Sequence, residues 1–453
     1  MYKQNNDYHK KAEVQKNIAC HQTAGYRPDR AKRTGSAKQS KKSPIKGFWG
    51  FIAIVIILIT CSNDIWAGTK ISEQSCISSV DMQEKKSFGD ENRDFREEAI
   101  MSTKVVGKDY SYAHGYYFQF LTSTEQIVYD EMIEALENYR TETDVTPFPE
   151  TSLNNVYDAI RYDHPEYYWV DNGLSYYTIN NANIRRIVFS VPEDARYKLQ
   201  QFQSYARSVA ASVAGMNTYE AYRTIYDTVA EIATYGKTEG VDDQTISGIM
   251  ANHIGVCSGY SDTFKFLCDA AGLPCITVVG YGYDGDGMNG GRHAWNMIMI
   301  DGSTYWVDVT WGDNVLEGEH YWYGCPDYYA YFCVDDATFL RRHSVSSTMN
   351  ESDGYHFSAT YPSCIDTRYT WFSLQDLVFS NYEEACNYIR GNLPYGIPYF
   401  WMQFTSREEM DRTLNNLITY RCIEDLMQEA GVWYGEYQYT YDYNNMILIL
   451  ELR

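Results

Sequence analysis

The chain has 453 residues, of which 44% are hydrophobic and 16% aromatic, enough apolar material for the cores of two or three domains. Its formal net charge of −22 is unevenly distributed. Residues 1–46 hold 12 Lys and Arg against 3 Asp and Glu, whereas residues 47–453 hold 26 against 57. Nucleic-acid affinity comes mainly from Lys and Arg that neutralise phosphates. A body as acidic as this one therefore excludes a nucleic-acid partner.

An uncharged segment follows the basic tail. Residues 47–63 contain an unbroken apolar run with no amphipathic stripe, and the basic flank before it is typical of a membrane-directed segment. We predict a single-pass anchor over residues 47–67, with the tail of residues 1–46 cytoplasmic and the body extracellular at the cell membrane. Cleavage near Ala67 or lipid attachment at Cys61 stay open as alternatives, and either would leave a secreted or lipid-anchored body outside the cell.

The next region mixes helical and extended patterns. Residues 68–97 are polar without apolar periodicity and are predicted to form a linker. An N-terminal α+β domain is predicted over residues 98–215. It begins with a helix that Thr122–Glu125 open, with a Ser or Thr as its cap, and a strand-rich stretch follows. Helical patterns over Tyr197–Ala214 and Thr218–Tyr235 then lead to the segment that contains the candidate catalytic residues.

A cysteine opens the next predicted helix. Cys257 stands between Gly255 and Gly259, and apolar residues follow at helical spacing until Gly272. At a helix N-terminus the unpaired N–H groups and the macrodipole favour a thiolate. The flanking glycines would let the backbone approach a substrate carbonyl, and the first N–H groups could donate to a tetrahedral oxyanion.

A histidine and an aspartate lie on two strands joined by a predicted hairpin. The chain reads Asp-Gly at residues 301–302, which favours a two-residue turn and a returning strand over Ser303–Trp311. In this register Asp308 lies diagonal to His293 on the same face, within reach of its ring. Asp308 can then accept one imidazole N–H while the other nitrogen takes the Cys257 proton. A slip of one residue would separate the two on opposite faces.

The C-terminal residues 360–453 follow a Ser-rich stretch. Their patterns predict a strand, a helix over Tyr382–Arg390, a strand over Pro398–Phe404, a helix over Arg407–Ala430 and a final hairpin. This alternation predicts a small α+β domain. It contains no catalytic pattern, so we expect a binding or packing role.

The remaining histidines and cysteines and a possible calcium loop are expected to have no catalytic or metal-binding role. His253 and His343 are expected to be solvated or core histidines. The cysteines of the body other than Cys257 could form four disulfides or remain buried thiols. The start of a calcium loop at residues 284–287 has Trp295 at its twelfth position, and no cysteine pair has zinc spacing. We therefore expect no metal and no other cofactor.

Three sequence blocks carry a family resemblance. Gly255–Tyr260, His293–Asn296 and Tyr305–Trp311 resemble, in order and spacing, the signature blocks of the transglutaminase-like superfamily. The resemblance covers residues 216–345. It implies a papain-like α+β core, in which a helix with the cysteine packs on an antiparallel sheet with the histidine and aspartate. It also implies roles for the triad: Cys257 as nucleophile, His293 as base and acid, and Asp308 as the orienting group.

The resemblance leaves two hypotheses from different classes. The first is a cell-surface cysteine acyl-transfer enzyme on protein or peptide substrates, cell-wall-associated ones included. It would cleave or transfer peptide or glutamine amides, with hydrolysis favoured over cross-linking. Tyr260, Trp295 and Trp311 are candidates for the walls of its substrate cleft. The second is a non-catalytic surface-binding or scaffold protein that retains the fold.

Overall fold

The structure is a computed structural model that describes seven ranges: residues 77–81, 114–179, 182–239, 242–283, 290–314, 328–345 and 359–453. The predicted basic tail and the predicted membrane segment over residues 47–67 lie outside these ranges. Within them, no helix combines the length and the apolar composition that a membrane crossing requires.

The N-terminal region is a four-stranded sheet with helices beside it. Its strand order is β1-β3-β4-β2, with β1 parallel to β3 and the other neighbours antiparallel. The elements are β1 Ile77–Asp81, α1 Ser123–Glu137, β2 Glu142–Pro149, α2 Leu153–Asp163, β3 Leu174–Ile179 and β4 Asn183–Phe189. The predicted Ser or Thr cap of α1 is Thr122, and its hydroxyl and the Glu125 side chain form a reciprocal capping box.

Strand β1 falls inside the segment of residues 68–97 that is predicted to be a linker, and the linker itself stays a prediction. Strand β1 pairs in parallel with β3, from Ile77 opposite Leu174 to Asp81 opposite Thr178, along the edge of β3 that β4 leaves open. A polar segment without apolar periodicity gives no local signal of such pairing.

Helices surround the segment that begins with Cys257. They are α3 Ala195–Val213, α4 Thr218–Ile232, α5 Ile246–Asn252 and α6 Cys257–Ala270. Helix α6 is buried along most of its length because α3, α4 and α5 pack around it and the central sheet covers another side. The short parallel pair β5 Thr234–Tyr235 and β6 Ile254–Gly255 fixes the approach to its first residue.

The central sheet has five antiparallel strands in the order β10-β9-β8-β7-β11. They are β7 Cys275–Tyr283, β8 Gly290–Ile300, β9 Ser303–Val307, β10 Phe332–Val334 and β11 His343–Val345. Strand β8 presents Asn296 towards α6, where its amide donates to the Ser261 carbonyl at 3.0 Å. The opposite face carries Trp295 and Met297, which pack in a second, smaller hydrophobic cluster. This arrangement confirms the predicted α+β fold of the papain-like type.

The β8–β9 hairpin confirms the predicted register, since Ile300 pairs with Ser303 across the Asp-Gly turn. The predicted strand over Ser303–Trp311 is nevertheless too long. Strand β9 ends at Val307, and a helix, α7 Val309–Asn314, follows. Asp308 stops the strand because its carboxylate accepts the Trp311 N–H at 3.0 Å, which is the bond of a helix N-cap.

The C-terminal region has a four-stranded sheet in the order β12-β13-β15-β14. After α8 Asp336–Phe339, its elements are α9 Trp371–Leu374, β12 Val378–Phe379, α10 Tyr382–Asn392, β13 Tyr399–Phe404, α11 Arg407–Leu414, α12 Cys422–Ala430, β14 Tyr437–Asp442 and β15 Ile447–Leu452. The predicted single helix over Arg407–Ala430 is wrong. A π turn at Asn415–Thr419 and a left-handed Arg421 (φ 59°) divide it into α11 and α12.

The three sheets share one hydrophobic core rather than three separate ones. Tyr117 of the N-terminal region donates to the Thr277 carbonyl of β7 at 2.5 Å. Arg341 donates to the Asn444 carbonyl of the C-terminal region at 2.6 Å. The predicted boundaries at residues 98–215, 216–345 and 360–453 stay predictions. All cysteines among the described residues are free thiols, and all but Cys257 and Cys422 are buried, which at these positions favours thiols over disulfides.

Candidate active site

Cys257 is the first residue of α6 and remains partly exposed. The strand before it is tied down by the Val256 N–H, which donates to the Asp243 carbonyl at 2.9 Å. A Cβ on Gly259 would lie 2.9 Å from the same carbonyl oxygen. Gly259 is therefore required for close packing on the segment before α5. This is a packing role for Gly259, and the approach of a substrate to the flanking glycines stays a prediction.

His293 connects the cysteine to the aspartate. Its Nε2 lies 2.7 Å from Asp308 Oδ2, and its ring is also hydrogen-bonded to the Cys257 thiol. Since Nε2 faces the carboxylate, Nδ1 is the nitrogen that faces Cys257. The three predicted side chains therefore form one continuous chain of hydrogen bonds. Cys257 lies at the start of α6, His293 on β8, and Asp308 directly after β9.

The charges of the three groups support one another. Burial opposes an ionised thiol, but the hydrogen bond and charge of His293 and a bond from the Ala294 N–H lower the pKa of Cys257 below its ordinary value. Burial also opposes a charged imidazole, yet Asp308 and Cys257 raise the pKa of His293 from 6.5 to about 10. The site thus favours a thiolate–imidazolium pair.

Asp308 is fully buried and stays ionised because donors surround it. Burial favours the neutral acid, but His293 and then His343 hold the pKa of Asp308 well below its usual range. Oδ1 accepts the Trp311 N–H at 3.0 Å, and Oδ2 also lies 3.0 Å from Nε2 of His343. His343 is the residue that the sequence interpretation missed, because its position beside Asp308 depends on the pairing of β11 with β7 and has no local signal.

The three predicted cleft residues divide into two groups. Trp311 is only partly buried, and its ring stacks beside His293 with centroids 5.2 Å apart, where it can wall a cleft. Tyr260 and Trp295 are almost completely buried. The Tyr260 hydroxyl donates to Asp313 at 2.5 Å, so its role is to join α6 to α7. For these two the structure replaces the cleft prediction with a packing role.

One group in the described part of the chain could in principle hold a metal ion. The ligand atoms of His293, Asp308 and His343 lie within 4.8 Å of one another. The two nitrogen–oxygen distances are those of charge-assisted hydrogen bonds, so protons alone account for the geometry. A metal here would also take the nitrogen through which Asp308 orients His293.

A cysteine at a helix N-terminus, a histidine on it and a buried carboxylate behind the histidine define a Cys-His-Asp acyl-transfer site on a papain-like fold. Residues 204–310 match the core of the transglutaminase-like superfamily, which agrees with the resemblance of the three sequence blocks. The chain thus carries a domain of the transglutaminase-like superfamily.

Individual relatives share only this part of the chain. Mouse kyphoscoliosis peptidase is 39% identical over 67 residues, which are 14% of this chain and 10% of that protein. The LIM and transglutaminase domain protein ltd-1 of Caenorhabditis elegans is 26% identical over 140 residues, 28% of this chain and 19% of that protein. The structure of the periplasmic domain of TgpA from Pseudomonas aeruginosa is 20% identical, with a TM-score of 0.19, over 29% of this chain and 58% of that one. The match thus spans a fifth or less of the length of these two curated relatives.

Proposed function

We propose that the chain is a cysteine acyl-transfer enzyme that cleaves peptide or glutamine side-chain amides, with hydrolysis favoured over cross-linking. The observation that supports it best is the position of His293, which contacts Cys257 through one nitrogen and Asp308 through the other. A buried core histidine needs neither a partly exposed thiol nor a charged carboxylate.

The first half of the reaction forms a thioester. The Cys257 thiolate attacks the amide carbonyl, and the oxyanion faces the free N–H groups at the start of α6. His293 then gives its Nδ1 proton to the leaving nitrogen, the C–N bond breaks and the amine departs. Asp308 keeps the Nε2–H of His293 throughout, so the nitrogen that faces the substrate is the one that exchanges protons.

The second half consumes the thioester. Water gives a proton to His293 and attacks the thioester carbon, the S–C bond breaks, and the acid leaves as the thiolate–imidazolium pair returns. An amine in place of water would give a cross-link through the same steps. The relative named kyphoscoliosis peptidase favours water as the acceptor.

Our proposal for substrate and location is that the enzyme acts on proteins or peptides outside the cell, cell-wall-associated ones included, while residues 47–67 tether it to the membrane. Its support is the sequence: an uncharged apolar segment follows a basic tail and precedes an acidic body. In intact cells, a membrane-impermeant thiol reagent should then label Cys257. Labelling only after lysis would refute the outward location without affecting the chemistry.

The chemistry is tested by alkylation of the full chain with iodoacetamide across pH, with each modified cysteine identified by peptide mapping. Cys422, which is also partly exposed, is the internal reference thiol. We expect Cys257 to react well below pH about 8.5 and His293→Ala to abolish this reactivity. Wild-type Cys257 that reacts no faster than Cys422 would refute the enzyme and favour the scaffold.

The acceptor is tested with a peptide amide in the presence and absence of a fluorescent primary amine. Hydrolysis predicts release of free acid in both samples, with little amine in the product. Incorporation of the amine as the main product would refute the preference for hydrolysis and retain the acyl-transfer reaction. Cys257→Ala, which removes the nucleophile, is the matched control.

A further inference from the structure

A second histidine contacts the carboxylate of the proposed triad. His343 opens β11, which pairs with β7 so that His343 lies opposite Gly282, two residues from the partner of His293. Its Nε2 is 3.0 Å from Asp308 Oδ2, the same atom that Nε2 of His293 contacts at 2.7 Å. The geometry thus gives one carboxylate oxygen two imidazole donors.

Packing fixes the orientation of the second ring. His343 is 2% exposed and stacks on Phe339 with ring centroids 3.8 Å apart and planes at 10°. Trp311 and Trp295 close the other sides, with ring centroids at 4.3 and 5.0 Å. A ring so enclosed cannot rotate freely, so Nε2 is held towards Asp308.

The number of protons decides what His343 can do. Its Nδ1 lies 3.2 Å from the Phe339 carbonyl, so the ring stands between two acceptors, while a neutral imidazole carries a single N–H. Burial lowers the pKa of His343 to about 4; Asp308 opposes this shift and the charge of His293 adds to it. We assign the proton to Nε2, because the acceptor there is the nearer one and is charged.

We propose that His343 is a positioning residue of the catalytic site, whose neutral Nε2–H keeps Asp308 ionised and aimed at His293. This inference rests on the proposed acyl-transfer function. When His293 gives its proton to the leaving amine, Asp308 loses its cationic partner in a fully buried place. The N–H groups of His343 and Trp311 then remain as donors to the carboxylate, and a neutral second histidine provides this without competing for the positive charge.

The neighbouring titratable groups do not substitute for His343. The Tyr226 hydroxyl donates to the Tyr328 carbonyl at 2.8 Å, and the Tyr331 hydroxyl accepts from Arg342 at 3.2 Å. Burial raises the pKa of both tyrosines, so they stay neutral in acid. Among the described residues, the ionisable groups that interact with the charge of Asp308 include Cys257, His293, Tyr226 and Tyr331. Arg342 lies over the ring of Trp311, which packs against His343.

Three substitutions separate positioning from packing. His343→Gln places an amide N–H near the position of Nε2, whereas His343→Asn is shorter and places it near Nδ1, and His343→Phe retains only the ring. Each full-length variant is assayed for peptide-amide turnover and for the pH dependence of Cys257 alkylation, and thermal melting reports on its fold.

We expect His343→Phe and His343→Asn to lower kcat about tenfold or more with KM little changed. The acid limb of Cys257 alkylation should move upwards by roughly one pH unit, because a less stabilised Asp308 protonates more readily and then no longer holds the His293 charge. His343→Gln should restore the limb and most of kcat. If the Phe variant does not fold, the Gln and Asn pair gives the same comparison.

Two results would overturn the inference and leave the proposed function intact. The first is a wild-type alkylation profile in all three variants. The second is an equal loss of kcat in the Gln and Asn variants, with an unmoved acid limb and lower melting temperatures. Failure of the proposed function gives a different result. In that case wild-type Cys257 itself reacts no faster than Cys422, and the role of His343 is refuted together with the triad.

Discussion

Replacing Asp308 by Asn tests the electrostatic logic of the site with almost no change of shape. The Trp311 N–H requires an acceptor, so the Asn oxygen must take the place of Oδ1 and its NH₂ the place of Oδ2. In the wild type, the Nε2 atoms of His293 and His343 donate to Oδ2. In the variant, the NH₂ group of Asn faces both of these nitrogen atoms. Donor would meet donor at both contacts, and His293 is driven to the tautomer with its proton on Nδ1.

The expected loss follows from the pKa of His293, which rises from 6.5 to about 10 in a site where Asp308 is the largest favourable influence. At about 1.36 kcal/mol per pH unit this is roughly 5 kcal/mol of preference for the imidazolium. Without that preference, and with the wrong tautomer, we expect kcat to fall about 10³- to 10⁴-fold. Alkylation of Cys257 at pH about 6 should fall to that of an ordinary thiol.

The assay compares peptide-amide turnover and alkylation for Asp308→Asn with those for Asp313→Asn. Asp313 lies on α7 and accepts from the Tyr260 hydroxyl. We expect the control variant to retain wild-type alkylation below pH about 7. An Asp308→Asn variant that folds and alkylates like the wild type at pH about 6 would refute the assignment of Asp308 as the group that holds the His293 proton.

Three further predictions concern stability. Gly259→Ala places a Cβ 2.9 Å from the Asp243 carbonyl oxygen, so we expect a loss of about 1–3 kcal/mol in urea unfolding; an unchanged midpoint would contradict the close packing. Burial raises the pKa of Asp262 to about 8, so its contribution to stability is complete below pH about 4 and is lost as the pH rises to about 8. Asp262→Asn should remove this dependence, so the stability of the variant relative to the wild type should increase as the pH rises from about 5 to 8. A difference in stability that stays constant with pH would show that Asp262 does not titrate in this range. Thr122→Ala breaks the capping box of α1 and should cost about 1 kcal/mol, while Thr122→Ser should restore it.

Short-range physics made the triad predictable from the sequence. Apolar spacing and a glycine stop defined the helix that begins at Cys257. The Asp-Gly turn fixed the β8–β9 register, and side chains alternate along strands, so the register placed His293 and Asp308 on one face. In each case the determining interaction joins residues that are close along the chain.

Where local signals competed, the prediction failed. The sequence from Val307 to Trp311 has the composition of a strand, yet the carboxylate of Asp308 ends β9 by capping α7. Between Leu414 and Cys422 the helical pattern continues, but the π turn and the left-handed Arg421 divide the helix. Both errors lie at element ends, where one side-chain hydrogen bond or one residue with positive φ outweighs the average propensity of a window.

Only the tertiary structure decided what surrounds the triad. His343 reaches Asp308 because β11 adds to the edge of β7, and strand pairing between distant segments leaves no periodic mark in either of them. Tyr260 and Trp295 lost their cleft role because burial depends on which neighbours pack over a side chain. The sequence by itself determined the start of the helix at Cys257 and the shared face of His293 and Asp308, since each depends on residues that are close along the chain. Long-range packing decided which groups support and enclose them, because those contacts form only when the chain has folded.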